Sequence, residues 1–456
     1  MPFKPIGFIL AALLAAASTS VVAENSLDPI LHKAIQAYQV KPHQPSERRL
    51  GPKEKLGQAL FFDPFVSGPK KIACATCHVR SKGAGDGLPM AVGLGAKGIS
   101  TERLAHSGAF IVPRNALPFF NRGSKDFRAL FWDGRVQLGP TGLIETPLGS
   151  RQPAGFDSLL AAAAVFPPAE PDEMLGRSLK RGTQDTYHAE LVTIDDEANN
   201  LQERTLNAFG NLVERLLETK SHNPQPVALQ YRKLFAEAYP RTPLNEFRIN
   251  HVGNALAAYI GAAFELKPAP WDRYVAGATS ALTPEQKQGA FVFFGKGRCA
   301  VCHSGTQFSD FRFHGLAVPQ MRVGKHNGYI DYGRAAATSR GEDRFAFRTP
   351  PLRNVTETFP WGHNGIFTSL ESVITHHANP VPMLYKAQQQ DPEEGSNAGR
   401  LLGFRSPILA EMAPLSKAEI ELLMKFLKAL SSEPVMPDSV ALPATVPSGD
   451  RSFIRP

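Results

Sequence analysis

CATCH, residues 74–78, and CAVCH, residues 299–303, use all four cysteines of the 456-residue chain. In C-x-x-C-H the two thiols form thioethers to the vinyl groups of a haem, and the adjacent histidine is placed to coordinate iron from the proximal side. Two disulfide loops, or one zinc site, would leave the histidine after each pair unexplained. The motifs therefore predict two covalently bound haem c groups, held by Cys74, Cys77 and His78 and by Cys299, Cys302 and His303.

The segment before each motif repeats. Gly57-Gln58-Ala59-Leu60-Phe61-Phe62 precedes the first and Gly289-Ala290-Phe291-Val292-Phe293-Phe294 the second. Each has a glycine followed by paired phenylalanines, the pattern of a helix that approaches closely at Gly and packs aromatic rings near haem, which is compatible with an ordinary amphipathic core helix. Thr283-Pro284-Glu285-Gln286 supplies an N-cap, a proline at N1 and a capping-box glutamine, and Ser416-Lys417-Ala418-Glu419 opens an amphipathic helix to about Leu430. Ile249, Val252, Leu256, Ile260 and Phe264 share one helical face. The expected fold is mainly α, with two cytochrome c-like haem domains and long loops: residues 24–278 for the first haem and 279–456 for the second. Gly- and Pro-rich stretches at 139–156, 165–173 and 379–400, and the tail from Glu433, read as excursions, the tail as a mobile one.

Residues 1–23, MPFKPIGFILAALLAAASTSVVA, have a lysine, an apolar run and a small-residue exit. That is the pattern of a secretory signal, too short for a lasting membrane span, so an exported chain in the periplasm is expected. The formal charge of +8 is spread without a long Lys/Arg run, which argues against nucleic acid and for a basic face that steers an acidic protein partner.

Beyond the haem motifs, the chain carries Arg114-Asn115, FWDGR (131–135), Pro167 with Glu173-Met174, FRTPPLRNV (347–355) and WGHNG (361–365), in that order. In this it resembles the bacterial diheme cytochrome c peroxidase and MauG family over most of its length. The resemblance implies reduction of hydrogen peroxide with electrons from a small redox protein, a cytochrome c or a cupredoxin. It makes Glu173 the carboxylate that moves a proton between the peroxide oxygens, a task that suits a group titrating near neutrality. It makes Trp132 a bridge for electrons between the haems, where the alternative is a core tryptophan bonded through its N–H. His106 is the counterpart of a histidine that caps the first iron at rest, though its register is about one residue off; otherwise it is a loop histidine. Asn115, Thr358 and Pro360 match positions that hold one calcium ion, partly through backbone carbonyls. Members are often dimers, so a homodimer is expected.

The family's far ligand to the second iron falls at position 377, where peroxidases carry Met and MauG carries Tyr. This chain has His376 and His377 there. Adjacent helical residues point about 100° apart, so only one can face the iron. His377 has the better register, His376 is the neighbouring choice, and Met383, Met321, His314 and His326 are the substitutes. Histidine in place of methionine lowers a haem's potential, which moves some weight to MauG-like oxidation of a Trp or Tyr side chain on a partner protein. A diheme cytochrome that only carries electrons is the remaining alternative.

Overall fold

The computed structural model describes residues 27–46, 49–103, 109–176, 191, 200–321, 330–390 and 397–455. Regular structure is mainly helical, with two small antiparallel sheets among the described residues. One is Ala129–Leu130, Val136–Leu138 and Ile144–Glu145 in that order; the other pairs Phe313–Gly315 with Ala346–Arg348. Among the described residues no helix is long and apolar enough to cross a membrane.

The chain divides into two compact units, neither contiguous in sequence. One takes Met1–Pro45 and Leu266–Glu433, the other Ser46–Glu265 and Pro434–Pro456. This corrects the division of 24–278 from 279–456, for a physical reason. Trp271 and Tyr274, fully buried, pack in one core with Phe294, Phe308 and Phe426, and Leu27, Leu31, Ala34 and Ile35 of the Leu27–Ala37 helix join them. Each buried Leu or Ile contributes about 1.5–3 kcal/mol, so the segment stays where that surface is covered.

The tail from Glu433 is likewise not a loose excursion. Met436, Ala441, Val446 and Phe453 are buried. Tyr259 Oη and Gln58 Nε2 donate to the Ala441 carbonyl at 2.9 and 2.8 Å, and Ser448 N donates to Asp63 Oδ2 at 3.0 Å.

The two halves repeat one helix crossing. In the first, the Pro52–Phe62 helix meets the Ile249–Ala263 helix so closely that a Cβ at Gly57 would lie 1.9 Å from the Ala255 carbonyl oxygen and 2.8 Å from Cβ of Tyr259. In the second, the Pro284–Phe294 helix meets the Lys417–Ala429 helix, and a Cβ at Gly289 would lie 2.0 Å from the Leu422 carbonyl oxygen and 2.8 Å from Cβ of Phe426. Only glycine fits either crossing. The aromatic pairs follow suit: Phe61 lies against Tyr259 (5.2 Å between ring centroids) and Phe293 against Phe426 (5.0 Å). The Thr283 and Ser416 capping boxes are both formed, and the apolar face of Ile249, Val252, Leu256, Ile260 and Phe264 is buried.

Candidate functional site

The first motif winds into one helical turn, Cys74–Cys77, and none of the four cysteines is in a disulfide. His78 follows the turn, its Nδ1 2.8 Å from the Ala84 carbonyl oxygen. That contact places the ring proton on Nδ1 and fixes the ring's orientation. Burial holds the imidazole neutral, with its pKa lowered to about 4, and the neutral ring is the metal-binding form. Phe119 stacks on it at 3.9 Å between centroids. Burial, then the charge of Glu173, pushes the Cys74 thiol up to about 12, so it is a neutral thiol.

The second motif repeats the arrangement. His303 Nδ1 lies 3.0 Å from the Phe308 carbonyl oxygen. Burial, and then the nearby His377, lower its pKa to about 4. Paired reduced thiols beside a neutral histidine whose Nδ1 is already occupied fit a thioether-linked haem in both units.

Glu173 sits on the Pro171–Leu175 π-helical turn, near enough to the first motif for its charge to act on both Cys74 and Cys77. Burial, reinforced by Glu170 and opposed by Arg135, raises its pKa to about 7. Its placement depends on a residue the sequence reading passed over. A Cβ at Gly93 would lie 2.0 Å from the Asp172 carbonyl oxygen and 3.2 Å from Glu173 Cα, and Leu94 N donates to that same carbonyl at 3.1 Å. Buried Arg103 holds the segment around Gly93 by donating to the carbonyls of Val92 (2.8 Å), Gly98 (2.9 Å) and Gly93. Nothing in the local sequence flags Gly93, because its partner is some 80 residues away.

Trp132 is buried, and its Nε1 donates to the Asn115 carbonyl oxygen at 3.0 Å. Around it, Arg114 pairs with Asp133 at 2.6 Å, and Arg135 lies 4.1 Å over the Phe131 ring. Burial works against the Asp133 charge, but Arg114 and Arg135 outweigh it and hold the pKa at about 2. Asn115 Nδ2 donates to the Leu88 carbonyl at 2.9 Å, and in the other unit Thr358 Oγ1 donates to the Val355 carbonyl at 3.2 Å.

The Leu370–Ala378 helix separates the two adjacent histidines. His376 is buried with Nε2 3.0 Å from the Leu316 carbonyl and its ring edge-on to Phe367. Its Nδ1 is buried with no hydrogen-bond partner among the described residues. His377 turns Nδ1 to the Val373 carbonyl at 2.8 Å, and its Nε2 makes no hydrogen bond among the described residues. Arg405 fixes this helix end by donating to the carbonyls of His377 (2.7 Å) and Ala378 (3.2 Å). His314 is a poor substitute ligand. Nε2 is 3.1 Å from Asp310 and Nδ1 3.3 Å from Ser406, and although burial opposes it, Asp310 and then Cys302 raise its pKa to about 9. Met321 and Met383 are half-buried. His106 and His326 lie outside the described residues.

Comparison with known proteins agrees with this chemistry. Residues 51–280 match the family model for the di-haem cytochrome c peroxidase. MauG, the methylamine utilization protein of Methylorubrum extorquens, is 29% identical over 395 residues, covering 86% of this chain and 82% of the relative. The cytochrome c551 peroxidase of Pseudomonas aeruginosa is 26% identical over 360 residues, covering 77% and 80%. Among solved structures, a MauG-like protein associated with microbial copper homeostasis aligns with a TM-score of 0.55 at 20% identity, over 87% of this chain and 94% of that one. The diheme peroxidase BthA from Burkholderia thailandensis aligns at 0.53 and 18%, over 89% and 90%. These structural likenesses speak for the fold. The chain belongs to the di-haem cytochrome c peroxidase family and is an oxidoreductase with two c-type haems.

Proposed function

We propose that this is an exported, periplasmic peroxidase that reduces hydrogen peroxide to water with electrons from a small redox protein, a cytochrome c or a cupredoxin. The observation that carries the reading is Glu173: a carboxyl on the turn packed against Gly93, raised by burial to a pKa of about 7, whose charge reaches Cys74 and Cys77. When bound, the haems supply the iron at which peroxide is cleaved and the store and route for electrons. Glu173 takes a proton from one peroxide oxygen and returns it to the other, so that water departs as the O–O bond breaks. Two electrons and two further protons complete the second water. Arg135, 3.7 Å from Glu170, keeps the carboxyl from being pushed higher.

On this reading His78 and His303 are the proximal ligands and His377 the far ligand of the second iron, leaving Trp132 to pass electrons. Asn115, Thr358 and Pro360 hold one calcium ion, and the assembly is a homodimer. The test is consumption of peroxide by the purified diheme protein with reduced cytochrome c or cupredoxin; no turnover with any such donor rejects the reading.

A second reading, MauG-like oxidation of a Trp or Tyr on a partner protein, is favoured by His377, whose Nδ1 contact with Val373 matches those of both proximal histidines. A bis-histidine haem accepts electrons poorly from a high-potential donor. Slow turnover with every donor, together with peroxide-dependent modification of a partner protein, would select it.

A further inference from the structure

We propose that Trp271 and Tyr274 are a redox-active pair that conducts single oxidising equivalents from the core around the second haem motif to the surface at Asp28 and His32. The proposal rests on the peroxidase reading for its oxidant.

Trp271 and Tyr274 stand three residues apart on the short Pro270–Val275 helix, on one face. Their rings stack at 5.6 Å between centroids and 26° between planes. On one side, Trp271 stacks on Phe294 at 5.7 Å and meets Phe308 edge-on at 6.1 Å; the Phe308 carbonyl is the one that orients His303. On the other side, Tyr274 stacks on His32 at 5.7 Å and 17°, and His32 is half-exposed. The result is a continuous run of ring faces from the haem-bearing core outward, with the two readily oxidised rings at its centre. Asp272, between them, fixes the helix. It takes a two-pronged ion pair from Arg353 (2.8 and 2.8 Å) and accepts from His43 N at 2.6 Å.

The polar atoms give the run a direction. Trp271 Nε1 is buried and has no hydrogen-bond partner among the described residues. An indole that loses an electron there has nowhere to send its N–H proton, so it stays a strong oxidant and does not trap the charge. Tyr274 is the opposite case. Its Oη donates to Asp28 Oδ1 at 2.7 Å, and Lys287 Nζ stands 3.0 Å from the same oxygen. Burial opposes the Asp28 charge, but Tyr274 and Lys287 together keep it ionised, so its oxygen stands as the acceptor for the phenol proton.

Electrons and protons balance as follows. Oxidised Trp271 takes one electron from Tyr274 and returns to its closed-shell form. The Tyr274 O–H bond breaks and its proton passes to Asp28. A small one-electron reductant at the surface, such as a phenol or an enediol, reduces the tyrosyl radical, and the proton returns from Asp28. Peroxide supplies two such equivalents per molecule. The pair thus discharges oxidising equivalents when the donor protein is scarce.

The test is rapid-freeze EPR of the holoprotein mixed with peroxide in the absence of donor. A tyrosyl signal is expected, and ring-deuterated tyrosine in the wild-type chain should narrow its hyperfine structure. Tyr274→Phe and Trp271→Phe, which keep a packing ring, should each reduce the signal at least tenfold while haem content and donor-driven peroxide turnover stay unchanged. A signal insensitive to tyrosine deuteration, or equally strong in both variants, overturns the proposal. If the wild-type protein consumes no peroxide, the peroxidase reading falls and takes this pair's oxidant with it; peroxide consumed without a Tyr274-dependent radical defeats the pair alone.

Discussion

Nδ1 of His377 lies 2.8 Å from the carbonyl oxygen of Val373, one helical turn back. His78 and His303 make the same kind of contact with the carbonyls of Ala84 and Phe308. In each case the backbone carbonyl accepts a hydrogen bond from Nδ1–H and leaves the Nε2 lone pair as the ring's donor to a metal. His376 makes its contact through Nε2 instead. Replacing His377 with Ala should therefore convert the second haem from low spin to high spin in ferric-state optical and EPR spectra. The same change at His376 should leave it low spin. His377→Met should raise that haem's potential by on the order of 0.2 V, a fraction of the ~0.8 V that axial ligation commands; equal spectra for the two alanine variants would reject the assignment.

Glu173 should govern the reaction with peroxide. Glu173→Gln should slow it about 10²–10⁴-fold with haem content unchanged. In the wild-type protein the rate should rise with pH through about 7, as the carboxyl becomes the base, and the variant should lose that rise.

The same residue makes a stability prediction of definite sign. Its folded pKa of about 7 lies above the ordinary 4.5, so between those values the folded state binds more protons than the unfolded chain. Stability contributed by the protonated carboxyl is then complete below the unfolded value and lost as pH rises through about 7. Thermal unfolding at pH 5 and pH 8 should show a smaller loss for Glu173→Gln than for the wild-type protein.

Gly57→Ala and Gly289→Ala should each destabilise their own unit by about 1–3 kcal/mol or more, since the new Cβ would collide with a backbone carbonyl that cannot move without parting two helices. Denaturant unfolding of each variant measures it. An unchanged midpoint in either would mean that the crossing is looser than it stands.

Ending the chain at Glu433 should weaken the unit that carries CATCH by several kcal/mol, because the buried side chains of Met436, Val446 and Phe453, at about 1.5–3 kcal/mol each, go with it. Arg80, two residues after His78, would also lose Met436 and Asp438, which it contacts at 2.8 and 2.7 Å. Limited proteolysis should show early cleavage within 46–265, with 266–433 protected as before.

Local sequence was sufficient wherever the chemistry is local. The thiols and histidine of each haem motif are covalently adjacent, a capping box spans four residues, and a helical face repeats every turn. Cys74 to His78, Thr283 to Gln286, and the face from Ile249 to Phe264 could all be read directly. The glycine and paired phenylalanines were legible as a repeat, but not the crossing helices that require them, since Ala255 and Leu422 are far along the chain.

Tertiary structure decided whatever depends on burial by distant segments. A contiguous boundary at 278 failed because Leu27 and Trp271 share one core and Ala441 bonds to Tyr259 in the other unit, and apolar area is buried without regard to chain order. The ring nitrogen that each of His376 and His377 leaves unbonded turned on which carbonyl the ring could reach, Leu316 or Val373. The pKa of Glu173 came from desolvation beside Glu170 and Arg135, which exists only once Gly93 lets the turn settle. By itself, then, the sequence determined that two haems are bound and where they attach. Which hydrogen bonds the candidate side chains make, and in what protonation state they stand, was decided by packing, because solvation and orientation belong to the folded neighbourhood and not to any one residue.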